Sequence, residues 1–254
     1  MKRRMQFFSG AFVLMFALSF VIFGSASAAE MKHMQGMDMA MHHMHIMMDH
    51  GLSMVTEGSS LVMLADMKMA PSLDQLTMDH GRHMIADGKE LIEHMMTGNE
   101  MKSMHKTGHG PADDPLMKYT HELGAAMRGY VDIVENMGME GDMSGDMMTM
   151  HHMHILINHA VDMAAEGANL VMLGRMGMAN GIDKESVEHG KMMLSDADKL
   201  LKELMEGKAM TDMMQQKGVT MDNAMMAYTH KLGAAARTLV DLLSNMPKKV
   251  KPLM

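Results

Sequence analysis

Apolar residues recur every three or four positions along this chain, over stretches too long for strands, which is the pattern of amphipathic helices. In the first half the pattern predicts a helix from about Met39 to Met67. A second helix opens at Ser72 in a Ser-x-x-Gln capping box and ends at Gly98. A third has Asp114 as its cap and continues to about Met137. No stretch shows the alternation of β-branched residues that a strand requires, so we predict an all-α fold.

The second half of the chain repeats the first at a fixed spacing. Setting each position n against n + 109 aligns residues 41–137 with residues 150–246 without a gap, and 41 of the 97 pairs are identical. The fold is therefore predicted to be a tandem duplication of a three-helix unit, with helix ends near Gly177, Gly207 and Met246 in the second copy. The units form either one helical bundle or two, and we favour two units packed with pseudo-two-fold symmetry.

The segments outside the repeats have distinct roles. Residues 1–29 are predicted to be a signal peptide, with cations at positions 2–4, an apolar run over 7–23 and cleavage after Ala28 or Ala29. An uncleaved membrane anchor is the alternative. Residues 30–40 form a flexible Met-rich lead-in, 138–149 a Gly-rich linker and helix start, and 247–254 a basic tail. We predict a periplasmic protein that has no membrane association after cleavage.

The composition is dominated by sulfur and imidazole. The chain holds 45 Met and 17 His but no Cys and no Trp, whereas helical cores usually rely on Leu and use Met sparingly. Without Cys there is no disulfide, no thiolate site and no covalent c-type haem. The formal net charge of −8 becomes −11 once the three cations of the leader are removed, which argues against nucleic-acid binding and suits cation binding.

One candidate metal-ligand pattern is a His, a Met and an acidic residue at i, i+4 and i+7, which places all three on one helical face. It occurs four times, at His50, Met54 and Glu57; His80, Met84 and Asp87; His159, Met163 and Glu166; and His189, Met193 and Asp196. Met117 with His121, and Met226 with His230, add pairs at i, i+4. We expect these faces to converge in one interior layer. The alternative is that each His only hydrogen-bonds an acid within a structural core.

A second candidate is the Met- and His-rich beginning of the first helix of each unit, which we expect to be an exposed end that captures metal. Its proposed ligands are His42, His43, Met44 and His45, repeated as His151, His152, Met153 and His154. Thioethers suit Cu(I) and Ag(I), and imidazole suits copper in both oxidation states, with zinc or another divalent ion also open. Recurring glycines near these positions (Gly58, Gly81, Gly124 and their counterparts) predict close helix approach.

The segment Met153–Ala164 (MHILINHAVDMA), together with the composition of residues 31–254, resembles the Met- and His-rich periplasmic copper-binding proteins of bacteria, including helical bundles of the CopM type. The resemblance implies copper or silver tolerance by sequestration or handover, without catalysis. A copper exporter or an oxidase would be the protein partner, and the oligomeric state is open.

Sequence motifs for catalysis are absent: the chain has no Gly-rich phosphate loop, nucleophile elbow or His-Glu-x-x-His motif. We therefore predict that the protein is not an enzyme. Three other functions stay open beside soft-metal binding. They are scavenging of oxidants by methionine, a haem or di-metal helical protein, and a purely structural bundle.

Overall fold

The computed structural model describes residues 36–68, 71–99, 101–102, 115–136, 145–215 and 224–247. All regular structure in these residues is helical, which confirms the all-α prediction. The predicted signal peptide, residues 30–35 of the lead-in, most of the linker and most of the tail lie outside the described residues. None of the described helices combines the length and the apolar character needed to cross a bilayer.

The described helices follow the predicted order. In the first half they are α1 (Gly36–Asp66), α2 (Asp74–Thr97) and α3 (Pro115–Glu135). In the second half they are α4 (Gly145–Arg175), α5 (Asp183–Glu206), α6 (Lys208–Gln215) and α7 (Ala224–Ser244). Helices α4, α5 and α7 begin and end 109 residues after α1, α2 and α3, which is the spacing of the sequence repeat. The short helix α6 was not predicted, and α1 begins inside the segment expected to be a flexible lead-in.

The helix ends were predicted with mixed success. After α4, Gly177 has φ +68°, its N–H bonds the Gly174 carbonyl, and the Met178 N–H bonds the Leu173 carbonyl, which is a Schellman ending. The predicted stops at Gly98 and Gly207 are also confirmed, because both residues are helix C-caps. The capping box at Ser72 is wrong: α2 begins at Asp74, and its N-cap residue is Leu73, which forms no side-chain capping bond.

Helices α1 and α2 pack antiparallel with their backbones in close contact. A Cβ added to Gly58 would lie 2.6 Å from the Gly81 carbonyl oxygen, and one added to Gly51 would lie 2.8 Å from that of Gly88. In the second half, Gly167 and Gly190 face each other in the same way. The expectation that recurring glycines mark close helix approach is therefore confirmed.

The two halves form one assembly through their first and last helices, since α1 packs on α4 and α3 packs on α7. Helices α1 and α4 are antiparallel, as their polar contacts show: Ser53 donates to Asp162 (2.6 Å), and Asn158 donates to Ser60 (3.1 Å). One compact unit holds all the helices from Gly36 onwards. This arrangement answers the question that the sequence left open.

Buried side chains of α1 recur every three or four residues, as the helical pattern predicts, at Met41, Met44, Met48, Leu52 and Val55. The corresponding stripe of α4 contains Met150, Met153, Ile157, Val161 and Ala164. These stripes run through the centre of the assembly. Polar side chains on these faces are therefore buried, and they include His45 on α1 and His154 on α4.

Candidate functional site

His45 lies on the buried stripe of α1 and is 1% exposed. Its Nε2 is 2.7 Å from the Oγ1 of Thr120 on α3. The only proton of that hydroxyl is donated to the Leu116 carbonyl, one turn earlier, at 2.8 Å. Thr120 must therefore accept from His45, so the imidazole proton is on Nε2 and Nδ1 carries a lone pair. That Nδ1 is buried and has no hydrogen-bond partner among the described residues.

His154 on α4 repeats this arrangement in the second half. Its ring is fully buried, and its Nε2 lies 2.6 Å from the Oγ1 of Thr229 on α7. The Thr229 hydroxyl donates to the Met225 carbonyl at 2.8 Å, so it too can only accept from the histidine. The His154 Nδ1 is likewise buried and without a partner in the described part of the chain. Each half thus presents one imidazole with a fixed tautomer and an unused lone pair.

A second histidine lies one turn before each of these. The His42 and His45 ring centroids are 6.2 Å apart, and those of His151 and His154 are 6.1 Å apart, both edge to face. The Nδ1 atoms of His42 and His151 are also buried without a described partner. His151 Nε2 lies 3.0 Å from Oδ2 of Asp66 on α1. We name the pairs site 1 (His42 and His45) and site 2 (His151 and His154).

The environment of both sites keeps the imidazoles neutral. Burial, and then the neighbouring histidine, lowers the pKa of His45 to about 3 and that of His154 to about 3. Burial, with a smaller contribution from His43, lowers the pKa of His42 to about 4. Burial also lowers the pKa of His151, but the Asp66 carboxylate partly opposes it. At neutral pH each imidazole therefore carries one proton, and in His45, His151 and His154 the hydrogen bond at Nε2 places that proton there and leaves the Nδ1 lone pair bare.

Buried methionines share the helical faces that carry each site. Met41 precedes His45 by four residues, and Met117 precedes Thr120 by three, so each lies on the face of its neighbour. Both side chains are fully buried. The second-half counterparts, Met150 and Met226, are 3% and 0% exposed. Sulfur and imidazole donors are thus placed on the same internal faces in both halves.

Two tyrosines and, besides Asp66, a second carboxyl group border the sites. The Tyr119 ring lies edge-on to His45 at 5.4 Å, and the Tyr228 ring lies edge-on to His154 at 4.9 Å. Asp49 is 2% exposed, and neither of its oxygens has a hydrogen-bond partner among the described residues. Burial raises the pKa of Asp49 well above its usual value. Its second-half counterpart, Asn158, accepts a 2.6 Å bond from the Tyr130 hydroxyl.

The predicted His-Met-acid patterns do not form an interior layer. The His and acidic members of all four are exposed, while the Met members are half-buried: His50, Glu57, His80, Asp87, His159, Glu166, His189 and Asp196 are exposed, and Met54, Met84, Met163 and Met193 are half-buried. The expectation of burial is wrong because the apolar stripe of each helix lies on another face. Their role as metal ligands stays a prediction.

Two of the four patterns, the one on α1 (His50 to Glu57) and the one on α4 (His159 to Glu166), do lie close to each other on the surface where α1 crosses α4. Burial and the Asp162 carboxylate raise the pKa of Glu57. The same two causes, with a further contribution from Glu57, raise the pKa of Glu166. His50 and His159 oppose these shifts in their own halves. This cluster is anionic and solvated, unlike sites 1 and 2.

The Met- and His-rich helix beginnings are also placed differently from the expectation of an exposed end. Met44, His45, His151, Met153 and His154 are buried, and only His43 and His152 of this set are exposed, with His42 half-buried. The Met117 and Met226 side chains are buried, while those of His121 and His230 are half-buried. His230 Nε2 is a further buried nitrogen without a described partner.

Three residues that contact the histidines of sites 1 and 2 were not predicted from the sequence. Thr120 and Thr229 were visible in the repeated Tyr-Thr-His run, but we assigned significance to the neighbouring histidine instead. Asp66 left no signal, because the residue 109 positions later is Arg175. Among the described residues, no three His, Asp or Glu side chains are grouped closely enough to hold a metal ion.

Comparisons with known proteins give no relative of this chain: no protein-family model matches it, and neither the curated proteins nor the solved structures yield a significant match.

Proposed function

We propose that this protein binds soft metal ions, Cu(I) before others, and sequesters them or hands them over without catalysis. One observation carries the proposal: His45 and His154 each have Nε2 occupied by a threonine hydroxyl and a bare Nδ1 buried in a Met-rich interior. A metal-binding histidine has this arrangement, with one nitrogen held by a hydrogen bond and the other presented to the ion.

The bare nitrogens are costly unless something binds them. Burying a polar atom without a partner costs about 1–3 kcal/mol, and sites 1 and 2 contain four such nitrogens. A buried water usually needs two to four polar partners. The buried side chains on the α1 and α4 faces that carry these histidines are mostly thioethers and apolar groups, which offer a water few polar partners. A soft cation, by contrast, is bound by imidazole and thioether together.

The choice of metal follows from the donors. Thioether sulfur is neutral and polarisable, and it selects Cu(I) over hard divalent ions. Glu57 and Glu166, whose oxygens would suit Mg²⁺ or Ca²⁺, are exposed at the α1–α4 crossing, and the described residues form no group of three carboxylates and imidazoles at the buried nitrogens. Met41 and Met117 are the proposed sulfur donors of site 1, and Met150 and Met226 those of site 2. Silver fits the same donors, and zinc fits the imidazoles alone.

The oxidant-scavenging alternative is less well supported by the burial of the sulfur. A methionine must be reached by the oxidant and by the enzyme that reduces its sulfoxide. Met41, Met48, Met63, Met117 and Met127 are fully buried. Among the described methionines, Met47, Met148 and Met192 are exposed, and this second function would depend on such residues.

The cellular setting is also part of the proposal. The leader-like segment over residues 1–29 would direct the protein to an oxidising compartment, where thioethers keep their affinity for Cu(I) while thiols are lost to disulfides. We therefore propose a periplasmic protein that takes part in metal resistance, with a copper exporter or an oxidase as the recipient of the ion.

Competition for Cu(I) between the purified protein and a coloured chelator of known affinity tests the proposal. We expect wild-type protein to remove copper from the chelator. The double variant His45→Ala and His154→Ala should lose this activity. The matched control, His83→Ala with His94→Ala, removes two exposed imidazoles of α2 and should bind as the wild type does. Failure of the wild-type protein to take up Cu(I) would overturn the proposal.

A further inference from the structure

The two sites differ at the residue that would support the first histidine of each pair. In site 2, Asp66 Oδ2 accepts from His151 Nε2 at 3.0 Å, and the His151 side chain is fully buried. Asp66 belongs to α1 and His151 to α4, so this contact joins the two halves. A carboxylate that holds the outer nitrogen of a ligand imidazole orients the ring and makes its other nitrogen a better donor.

Site 1 has an arginine at the equivalent position. Arg175 follows Asp66 by 109 residues, and its guanidinium donates to the Met246 and Pro247 carbonyls at 3.4 and 3.3 Å. The antiparallel register of α1 and α4 that brings Ser53 to Asp162 and Asp66 to His151 sets Arg175 against His42. Among the described residues, no carboxylate forms an ion pair with His42.

Asp49 does not form in site 1 the hydrogen bond to a histidine that Asp66 forms in site 2. Asp66 is hydrogen-bonded to an imidazole, whereas both oxygens of Asp49 are buried without a partner in the described part of the chain. The carboxylate that supports a histidine is therefore present in one site and replaced by a cation in the other.

We infer that the sites hold metal unequally: site 2, completed across the halves by Asp66, binds a soft monovalent cation more tightly and fills before site 1, where Arg175 takes the place of Asp66. The inference rests on the proposed function. Its electrostatic basis is that the carboxylate bonded to His151 offsets the charge of a univalent ion at site 2, while His42 of site 1 has no carboxylate partner among the described residues and Arg175 stands at the position of Asp66. Loss of such an outer carboxylate typically costs 10- to 100-fold in metal affinity, which sets the difference expected between the sites.

Titration of the purified protein with Cu(I) against a series of chelators of graded affinity tests this. Wild-type protein should show a tight and a weaker class of site. His154→Ala should remove the tight class and His45→Ala the weaker one. Asp66→Asn should weaken the tight class by about 10- to 100-fold and leave the other unchanged. Asp241→Asn, which neutralises an exposed carboxylate on α7, is the charge control and should change neither class.

A variant that adds a carboxylate at the equivalent position of site 1 distinguishes a change in metal affinity from a general loss of folding. Arg175→Asp introduces a carboxylate beside site 1 and should tighten the weaker class, a gain that a damaged protein cannot show. Binding in a single class, or an equal loss at both sites in Asp66→Asn, would overturn the inference and leave the proposed function standing. An absence of Cu(I) binding in the wild-type protein would instead overturn the proposed function itself.

Discussion

Thr120 and Thr229 determine which nitrogen of His45 and of His154 carries the proton. Each hydroxyl donates to the carbonyl one turn earlier, so its oxygen can only accept from the imidazole. The sequence showed the threonines as part of a repeated run, but the direction in which they point depends on how α3 and α7 pack. The composition predicted that imidazole and thioether would be the donors, whereas the tautomers of His45 and His154 could be assigned only from the structure.

Replacing both threonines by valine tests this pairing. Thr120→Val with Thr229→Val keeps the shape but leaves the Nε2–H groups without acceptors, so unfolding in urea should show a loss of about 1–3 kcal/mol per site. Cu(I) affinity should fall as well, because the imidazoles are no longer oriented. In Thr97→Val with Thr238→Val, two exposed threonines lose the same bond to a carbonyl one turn earlier, and stability should change by less than about 0.5 kcal/mol. Equal effects in the two double variants would contradict the assignment.

Asp49 is expected to cost stability, because its carboxyl group is buried without a partner. Its folded pKa lies above the usual value of 3.8, so the protein loses stability as the pH rises above 3.8 and the unfolded chain releases the proton. Asp49→Asn should therefore stabilise the metal-free protein at pH 7 by about 1–3 kcal/mol, and by less at pH 4. Unfolding of both proteins at the two pH values measures this. A destabilised Asp49→Asn protein at pH 7 would show that the carboxylate has a favourable role.

The neutral histidines predict a loss of stability in acid. His45 and His154 have a pKa of about 3 in the folded protein against 6.5 ordinarily, so between these values only the unfolded chain binds the proton. Stability is then fully present above pH 6.5 and is lost as the pH falls towards 3, by up to about 1.4 kcal/mol per pH unit for each histidine.

The double variant His45→Gln with His154→Gln isolates this contribution, since the amide can donate to the threonine but does not titrate. The stability of this variant, measured in urea between pH 4 and pH 7, should depend less steeply on pH than that of the wild type. Parallel curves for the two proteins would mean that the imidazoles are charged or exposed.

At the scale of the helix, the sequence predicted most of what is observed. The order of the helices and their ends at glycines follow from local patterns, and the recurring glycines marked the close approach of α1 and α2. The capping box failed because Ser72 and Gln75 are exposed and Gln75 bonds Asp79 instead. Helix α6 was missed because Gly207 interrupts the pattern, although the chain resumes a helix directly afterwards.

Replacing Gly58 by alanine tests the close packing of α1 against α2. In Gly58→Ala the new methyl group would lie 2.6 Å from the Gly81 carbonyl oxygen, a backbone atom that moves only if the helices separate. We expect a loss of about 1–3 kcal/mol on thermal or urea unfolding, despite the better helix propensity of Ala. Gly129→Ala on α3 meets nothing within 4 Å and should gain about 0.5–1 kcal/mol instead. If Gly58→Ala also stabilised the protein, α1 and α2 would not be packed as closely at Gly58 as the structure shows.

At the scale of the whole molecule, the contacts between the halves fall on positions where the repeat differs. Ser53 meets Asp162, Asp66 meets His151, and Tyr130 meets Asn158, and in each of these contacts at least one residue has a different counterpart in the other half. This explains why the repeat itself could not predict the packing. It also explains why the exposed His-Met-acid patterns, which the repeat highlighted, were expected inside: identity between halves does not distinguish buried from exposed faces.

In the proposed function, copper is bound inside the assembly by the Nδ1 atoms of the buried histidines and by methionine sulfur. Anomalous diffraction at the copper absorption edge, from crystals of the Cu(I)-loaded protein grown without oxygen, locates the ion directly. We expect a peak at bonding distance from His154 Nδ1 and a methionine sulfur, with an equivalent and weaker peak beside His45. Copper found only at exposed residues such as His50, His80 or His189, with none inside the bundle, would contradict this proposal.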